Sequence, residues 1–166
     1  MASTSDIRKG LCIKYNNDIF KIVDFLHVKP GKGPAFVRTK LKSVTNGRVI
    51  ENTFSAGHKI DDIRVETSKF QYLYGEGDDF NFMNVNDFNQ IIVNKNSIDS
   101  PGLLKEGEIV NISINTEDGS PLSVDMPASV ILEIIHTDPG VKGNTATNAT
   151  KPATLETGAK INVPLF

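Results

Sequence analysis

Alternating apolar and polar residues dominate the first third of the chain and predict strands. Two alternating runs over residues 11–28 are separated by Asn16-Asn17-Asp18, which is typical of a hairpin turn. The stretch 35–54 also alternates, and Asn46-Gly47 within it is a strong two-residue turn signal. We therefore predict a small barrel of short antiparallel strands over residues 7–64.

The middle of the chain has the pattern of a second small barrel. "FQYLYGEGDDFNFMN" predicts two strands around a glycine-rich turn, and "EIVNISINTEDGSPLSVDMP" predicts two more around Glu117-Asp118-Gly119. Between them, the spacing of Phe88, Ile91 and Ile92 predicts one short helix. Short strands, one small helix and tight turns are typical of a five-stranded oligonucleotide-binding (OB) barrel.

A third block begins at Pro127 and alternates between strand and loop signals. "SVILEIIHT" predicts an apolar strand, "DPGVKGNTATNATKPATLETG" a long polar loop, and "AKINVPLF" a final strand. We therefore predict an all-β chain of three small domains, over residues 1–64, 65–126 and 127–166.

Charge is distributed unevenly between these blocks. Residues 1–64 contain 12 Lys and Arg against 6 Asp and Glu, whereas residues 65–166 contain 6 and 14. The segment Phe25–Ile50 has six bases and no acid. This asymmetry predicts a polyanionic partner at one end of the molecule, the alternative being an ordinary solvated surface.

Several classes of protein are excluded by composition. No apolar run is long enough to span a membrane, and the N-terminus lacks the apolar segment of a secretory signal. The single cysteine, Cys12, forms no disulfide within the chain and is predicted to be a buried apolar residue. The three histidines are far apart and have no partners at ligand spacing. We expect a cytoplasmic protein with no membrane segment, no metal site and no cofactor.

Lys32 lies between prolines that restrict the backbone and glycines that carry no side chain. Pro30 and Pro34 restrict the backbone on both sides, while Gly31 and Gly33 allow positive φ and carry no side chain. These residues predict an exposed hairpin tip with Lys32 at its apex. The alternative is an ordinary exposed loop lysine, although such a loop needs no prolines and glycines on both sides.

Catalysis is not the favoured use of this lysine. A nucleophilic lysine needs burial or a neighbouring cation, and no catalytic triad, paired carboxylates or phosphate-binding loop accompanies it. Two binding functions compete: a carrier lysine, as in biotinyl or lipoyl domains, or an RNA-binding barrel whose tip reaches the end of the RNA. Surrounding cations favour RNA, namely Lys29, Arg38, Lys40 and Lys42.

Four motifs in order resemble bacterial elongation factor P, a family related to the hypusine-carrying initiation factor 5A of eukaryotes and archaea. They are "VKPGKGPAFVRTKL", "YLYGEGDDFNFMN", "HTDPGVKGNTA" and "KPATLETGAKINVPLF", and the likeness runs from "IRKG" to the last residue. The resemblance implies three β-barrel domains in an L shape. The first is an SH3-like KOW barrel, and two OB-fold barrels follow.

The resemblance also implies a function in translation. Members bind the 70S ribosome beside the P-site peptidyl-tRNA, with tRNA-Pro favoured, and relieve stalling at consecutive prolines. By motif, Lys32 is the tip that enters the peptidyl-transferase centre, and many members carry a modification there, which implies a lysine-modifying enzyme as a partner. Lys29, Arg38, Lys40 and Lys42 are expected to contact tRNA. A monomer is expected, and no enzyme activity.

Two departures from the family pattern concern the third domain. Where members often have Gly-Asp-Thr near the messenger codon in the exit site, this chain has Gly143, Asn144 and Thr145, which keep an oxygen for hydrogen bonding and lose the charge. The family continues past "VPLF", so the resemblance implies an incomplete third barrel. A paralogue of elongation factor P with a different set of client proteins is the alternative within the family.

Overall fold

The computed structural model describes residues 1–140 and 149–165. Its strands, in chain order, are Ala2–Ser3 (β1), Cys12–Tyr15 (β2), Asp18–Val28 (β3), Phe36–Ser43 (β4), Val49–Ser55 (β5), Lys59–Asp62 (β6), Val65–Glu76 (β7), Asp79–Asn84 (β8), Gln90–Asn94 (β9), Ile109–Asn115 (β10), Pro121–Asp125 (β11), Ile134–Thr137 (β12), Thr150–Leu155 (β13) and Lys160–Pro164 (β14). Single turns of 3₁₀ helix cover Thr4–Asp6, Lys95–Ser97 and Pro101–Leu103. Within the described ranges, no helix is long and apolar enough to cross a membrane.

Six strands form the N-terminal barrel in the order β1-β6-β2-β3-β4-β5. Alternation in β4 is confirmed: Val37, Thr39 and Leu41 are buried, while Arg38 and Lys40 between them are exposed. Because side chains of a strand point to opposite faces in turn, this pattern places one face of β4 in the barrel core. The core also contains buried apolar residues from the neighbouring strands, namely Ile13, Phe20, Ile22, Phe54 and Ile60.

The predicted turn at Asn16-Asn17 is confirmed, since both residues have positive φ (49° and 61°) and join β2 to β3. Asn46-Gly47 marks a turn as well, but the connection from β4 to β5 is longer than two residues. There the Gly47 N–H donates to the Ser43 carbonyl oxygen at 3.0 Å. A turn of this kind spans more of the chain than the two-residue hairpin that the sequence pattern predicts.

Hydrogen bonds to Asp18 link the start of β3 to the end of β4 and the turn that follows it. Its carboxylate accepts hydrogen bonds from Thr45 Oγ1 at 2.6 Å, Ser43 Oγ at 2.7 Å and the Ile19 N–H at 2.8 Å. Burial alone raises the pKa of Asp18, but these three hydrogen bonds outweigh it and hold the pKa below its ordinary value of 3.8.

Five strands form the central barrel in the order β11-β10-β7-β8-β9, around a core of Phe70, Tyr72, Phe82, Val93, Ile98, Leu104, Val110, Ile112 and Val124. The predicted helix near Phe88 is wrong, because Gln90–Asn94 is strand β9. In β9, Ile92 is exposed and Val93 is buried, which is the period of a strand. Phe88 is exposed in the preceding turn, with φ of 61°. Three apolar residues in so short a segment do not distinguish the two periods.

The C-terminal sheet has the order β12-β13-β14. The predicted loop is wrong over Thr150–Leu155, which forms the middle strand β13 with Ala153 and Leu155 buried. Pro152 is tolerated because the pairing with β12 ends at the next residue, Ala153, so Pro152 is paired only with β14. The predicted apolar strand is confirmed only over Ile134–Thr137, and all four of its residues are exposed.

The two barrels meet in a small contact of mixed chemistry. Cys12 and Ile63 pack against Leu122, with Ile19 and Val44 partly buried at the edge. Around this apolar centre, basic side chains of the N-terminal barrel pair with acidic side chains of the central barrel, as Lys14 with Glu117, Lys21 with Asp125 and Lys42 with Asp99. An all-β fold is therefore confirmed, while the exact domain boundaries stay a prediction.

Candidate functional site

The candidate site lies at the end of the hairpin that β3 and β4 form. Its register is symmetric about residue 32: Val28 pairs with Phe36, Leu26 with Arg38 and Asp24 with Lys40. On the other face of β4, buried Val37, Thr39 and Leu41 anchor the hairpin in the barrel core. Thr39 Oγ1 also donates to the Asn52 carbonyl oxygen of β5 at 2.8 Å. The β4 arm is thus paired on both sides, with β3 and β5, as far as Phe36.

Residues 29–35 form the loop beyond this last pair, here called the tip loop. Pro30, Gly31, Lys32, Gly33 and Pro34 are all exposed, so the predicted apex is confirmed as an exposed loop. Only Gly33 uses the positive φ that the sequence allowed at both glycines, with φ of 114°. A side-chain carbon at Gly31 would meet no atom within 4 Å. The tip loop is therefore bare, and its backbone shape depends on Gly33 in particular.

Lys32 extends from this loop without a partner among the described residues, which give it no ion pair or hydrogen bond. Neither of the two conditions that activate a lysine as a nucleophile, burial or desolvation beside another cation, is met at an exposed tip. What the geometry does provide is an exposed ammonium group at the apex of the hairpin, held away from the barrel core. Such a group is suited to entering a site on another molecule.

The other predicted cationic residues fall into two groups. Lys29 is exposed at the start of the tip loop, and Arg38 is exposed on the outer face of β4. Lys40 shares that face, but its Nζ lies 3.8 Å from Glu51 Oε1 of β5. Lys42 differs from all of them, because its Nζ lies 2.7 Å from Asp99 Oδ1 of the central barrel. The structure thus places Lys29 at the start of the tip loop and Arg38 and Lys40 on the outer face of β4, and holds Lys42 at the barrel contact.

Two carboxylates beside Lys40 were missed by the sequence interpretation. Asp24 pairs with Lys40 across the β3–β4 ladder, and Glu51 pairs with it across β4–β5. A hydrogen bond from Lys9, 3.0 Å away, lowers the pKa of Asp24, assisted by the Phe25 N–H. Counting outward from Lys32 in equal steps along both arms would have found the Asp24–Lys40 pair.

Two further predictions concern residues away from the tip. Cys12 is confirmed as a buried residue, 2 % exposed, and burial raises the pKa of its thiol, which disfavours the reactive thiolate. Gly143, Asn144 and Thr145 lie outside the described residues, so their predicted contact with messenger RNA stays a prediction.

The fold is shared with a protein of known structure. The structure is similar to that of "Eukaryotic translation initiation factor 5A from Methanococcus jannaschii", with a TM-score of 0.54 over 74 % of this chain and 92 % of that one. Because the two chains are 19 % identical, this likeness shows the fold alone.

Sequence comparisons identify the family. The profile described as "Elongation factor P (EF-P) KOW-like domain" matches residues 3–60, "Elongation factor P (EF-P) OB domain" matches 65–124, and "Elongation factor P, C-terminal" matches 130–166. The chain is 73 % identical to elongation factor P of Christiangramia forsetii and 70 % identical to that of Flavobacterium psychrophilum. All of this chain aligns in both cases, with 88 % and 89 % of the relatives' lengths. The chain belongs to the elongation factor P family.

Proposed function

We propose that this protein binds the 70S ribosome beside the P-site peptidyl-tRNA and promotes peptide bond formation, relieving stalling at consecutive prolines. The observation that carries the proposal is the exposed Lys32 at the apex of a hairpin whose base is anchored in the barrel core. Membership of the elongation factor P family supports it. The Lys32 ammonium reaches the peptidyl-transferase centre, where it contacts the CCA end of the tRNA.

The mechanism is positional and needs no acid–base chemistry from this chain. Proline is a poor reactant, and a peptidyl-tRNA that samples many orientations rarely reaches the geometry for attack. Holding the CCA end through Lys32 removes part of that entropic barrier, because a positioned reactant behaves as an intramolecular one. The protein acts as a factor for the ribosome's reaction, not as an enzyme with an active site of its own.

Cations along the hairpin hold the tRNA backbone in this proposal. Lys29 and Arg38 are exposed and form no ion pair among the described residues, so they contact phosphates of the acceptor arm. Lys40 contributes more weakly because Glu51 lies nearby. Lys42 contributes only if its ion pair with Asp99 opens. In the third predicted domain, Gly143, Asn144 and Thr145 contact messenger RNA in the exit site. The protein is a cytoplasmic monomer.

A lysine-modifying enzyme is a further proposed partner. The bare tip loop gives such an enzyme access to Lys32, since Gly31 and Gly33 place no side chain beside it. A longer side chain extends the reach of the ammonium group toward the CCA end. Intact mass after expression in the native host distinguishes a lysyl-type addition from an unmodified chain. A biotinyl or lipoyl mass would instead support the carrier-domain alternative.

The deciding experiment is translation of a triple-proline reporter with purified ribosomes. Lys32→Ala is expected to leave thermal unfolding unchanged, because the side chain is exposed, and to abolish relief of stalling. Lys59→Ala is the matched control, since Lys59 is an exposed lysine of the same barrel on β6, outside the β3–β4 hairpin. Reporter synthesis by Lys32→Ala at the wild-type rate would refute the proposal.

A further inference from the structure

Two lysines face each other at the base of the β3–β4 hairpin. Lys21 on β3 pairs directly with Lys42 on β4, one pair before the end of the ladder farthest from the tip loop. Side chains at directly opposed positions share a face and lie close together, so like charges there are destabilising. Within the N-terminal barrel alone, this pair is unfavourable.

The central barrel supplies a carboxylate to each of these lysines. Lys42 Nζ lies 2.7 Å from Asp99 Oδ1, and Lys21 Nζ lies 3.1 Å from Asp125 Oδ1. Lys21 Nζ also donates to Ser123 Oγ at 3.1 Å. The two lysine side chains are 27 % and 23 % exposed, whereas Asp99 and Asp125 are 72 % and 48 % exposed, so only the lysine ends of the ion pairs are partly shielded from water. Contact between the barrels thus converts a repulsive pair into two attractive ones.

Neutral contacts beside the ion pairs also help to fix how the two barrels are placed against each other. Leu122 of the central barrel packs against Cys12 and Ile63, and Ser97 Oγ donates to the Val44 carbonyl oxygen at 3.1 Å. Apolar burial favours contact without setting a direction, whereas paired charges and hydrogen bonds require particular positions. Ion pairs at two separate acids, Asp99 and Asp125, therefore resist rotation of one barrel about the apolar contact.

We propose that Lys21, Lys42, Asp99 and Asp125, here called the interbarrel joint, fix the direction of the hairpin relative to the central barrel and so position Lys32. The four are positioning residues that act through the hairpin, and Lys42 belongs to them in place of its predicted role in tRNA binding. This inference rests on the proposed function, because a fixed direction matters only if Lys32 must reach a defined point.

The length of the hairpin makes the joint effective. From the Lys21–Lys42 pair to the Val28–Phe36 pair is about 20 Å at 3.3 Å per residue. A rotation of about 5° at the joint therefore moves the start of the tip loop by about 2 Å. Reactions that depend on positioning lose about 100-fold in rate for a misplacement of about 1 Å. Small rotations at the joint are consequently expected to reduce activity strongly.

The first test measures geometry in the free protein. Spin labels at Ser55→Cys and Gln90→Cys, both exposed and one on each barrel, report the interbarrel distance by electron paramagnetic resonance. Cys12 is 2 % exposed and stays unlabelled. We expect one narrow distance distribution for the labelled protein. Asp99→Lys with Asp125→Lys is expected to broaden it, and adding Lys21→Asp with Lys42→Asp is expected to restore it.

A control and a functional measurement complete the test. Asp78→Lys breaks an ion pair inside the central barrel, with Lys95, and is expected to leave the distance distribution narrow. In the triple-proline reporter, the double lysine variant is expected to be at least about tenfold slower than wild type, and the charge-swapped variant to recover. A narrow distribution in the double lysine variant overturns the joint, and a broad distribution with full reporter activity overturns its positioning role. Failure of Lys32→Ala to affect the reporter refutes the proposed function separately, because the distances are measured without ribosomes.

Discussion

Replacing Gly33 by alanine is expected to reduce activity without unfolding the protein. Gly33 has φ of 114°, a backbone conformation that residues with a side-chain carbon rarely adopt. Space is not the obstacle, because a carbon added at Gly33 would have Pro30 Cγ as its nearest neighbour, at 3.9 Å. The penalty of Gly33→Ala therefore comes from the backbone of the tip loop alone.

The size of that penalty can be estimated from the conformation. Holding a non-glycine residue in such a region costs on the order of 1–3 kcal/mol. The exposed loop 29–35 can relieve this strain by changing its own shape, so the free energy of unfolding is expected to fall by less. The population with the native tip shape is then expected to fall by roughly 5- to 150-fold, since each 1.4 kcal/mol is about a factor of ten.

The assay pairs this variant with one at the neighbouring glycine. At Gly31 no atom lies within 4 Å of an added carbon, and φ lies outside the positive region, so Gly31→Ala is expected to be tolerated. Both variants are measured for triple-proline reporter rate and for thermal unfolding. We expect Gly33→Ala to be slow and Gly31→Ala to be near wild type, with similar unfolding temperatures. Equal rates for the two variants would refute the argument that the shape of the tip loop matters.

Three further predictions follow from the N-terminal barrel. Leu41→Ala, at a fully buried position, is expected to lower the free energy of unfolding by about 2–5 kcal/mol in denaturant titrations, and a loss below about 1 kcal/mol would contradict its place in the core. Because the pKa of Asp18 is lowered by folding, its carboxylate stabilises the protein above pH 3.8 and this contribution is lost as the pH falls below that value. Asp18→Asn is expected to weaken this acid dependence in thermal unfolding, and an unchanged profile would count against it. Arg38→Ala is expected to reduce the salt dependence of tRNA binding by about 0.7–0.9 in log–log slope per phosphate contact, and Lys42→Ala less. The reverse order would show that the Lys42–Asp99 pair opens on binding.

The hairpin that carries the candidate site could be predicted from local sequence patterns alone. The alternation from Phe36 to Ser43 separates buried from exposed residues of β4 as the structure has them. Pro30, Gly31, Gly33 and Pro34 mark the exposed loop because their effects on the backbone are local. Features that depend on a few consecutive residues can be predicted in this way, because residues close in sequence supply all the interacting groups.

Features that depend on distant partners could not be predicted from such patterns. Lys42 has the same spacing as Arg38 and Lys40, yet its ion pair is with Asp99, on the other barrel. Strand β13 is polar in composition, and only its position between β12 and β14 makes it a strand. Strand β9 is short enough that helix and strand periods both fit its apolar residues. In each case the outcome depends on tertiary contacts that the local sequence pattern does not contain.

The ion pairs between the barrels also change the interpretation of the uneven charge distribution along the chain. Part of the positive charge of the N-terminal barrel serves the contact with the acidic central barrel, through Lys14, Lys21 and Lys42. Of the cations on the hairpin beyond this contact, Lys40 has Glu51 nearby. On the hairpin, the cations without an ion pair among the described residues are Lys29, Lys32 and Arg38, which lie closer to the tip than Lys40. Because phosphates attract unpaired cations more strongly than paired ones, a polyanion that contacts the hairpin is expected to meet it toward the tip, where Lys32 is placed to act.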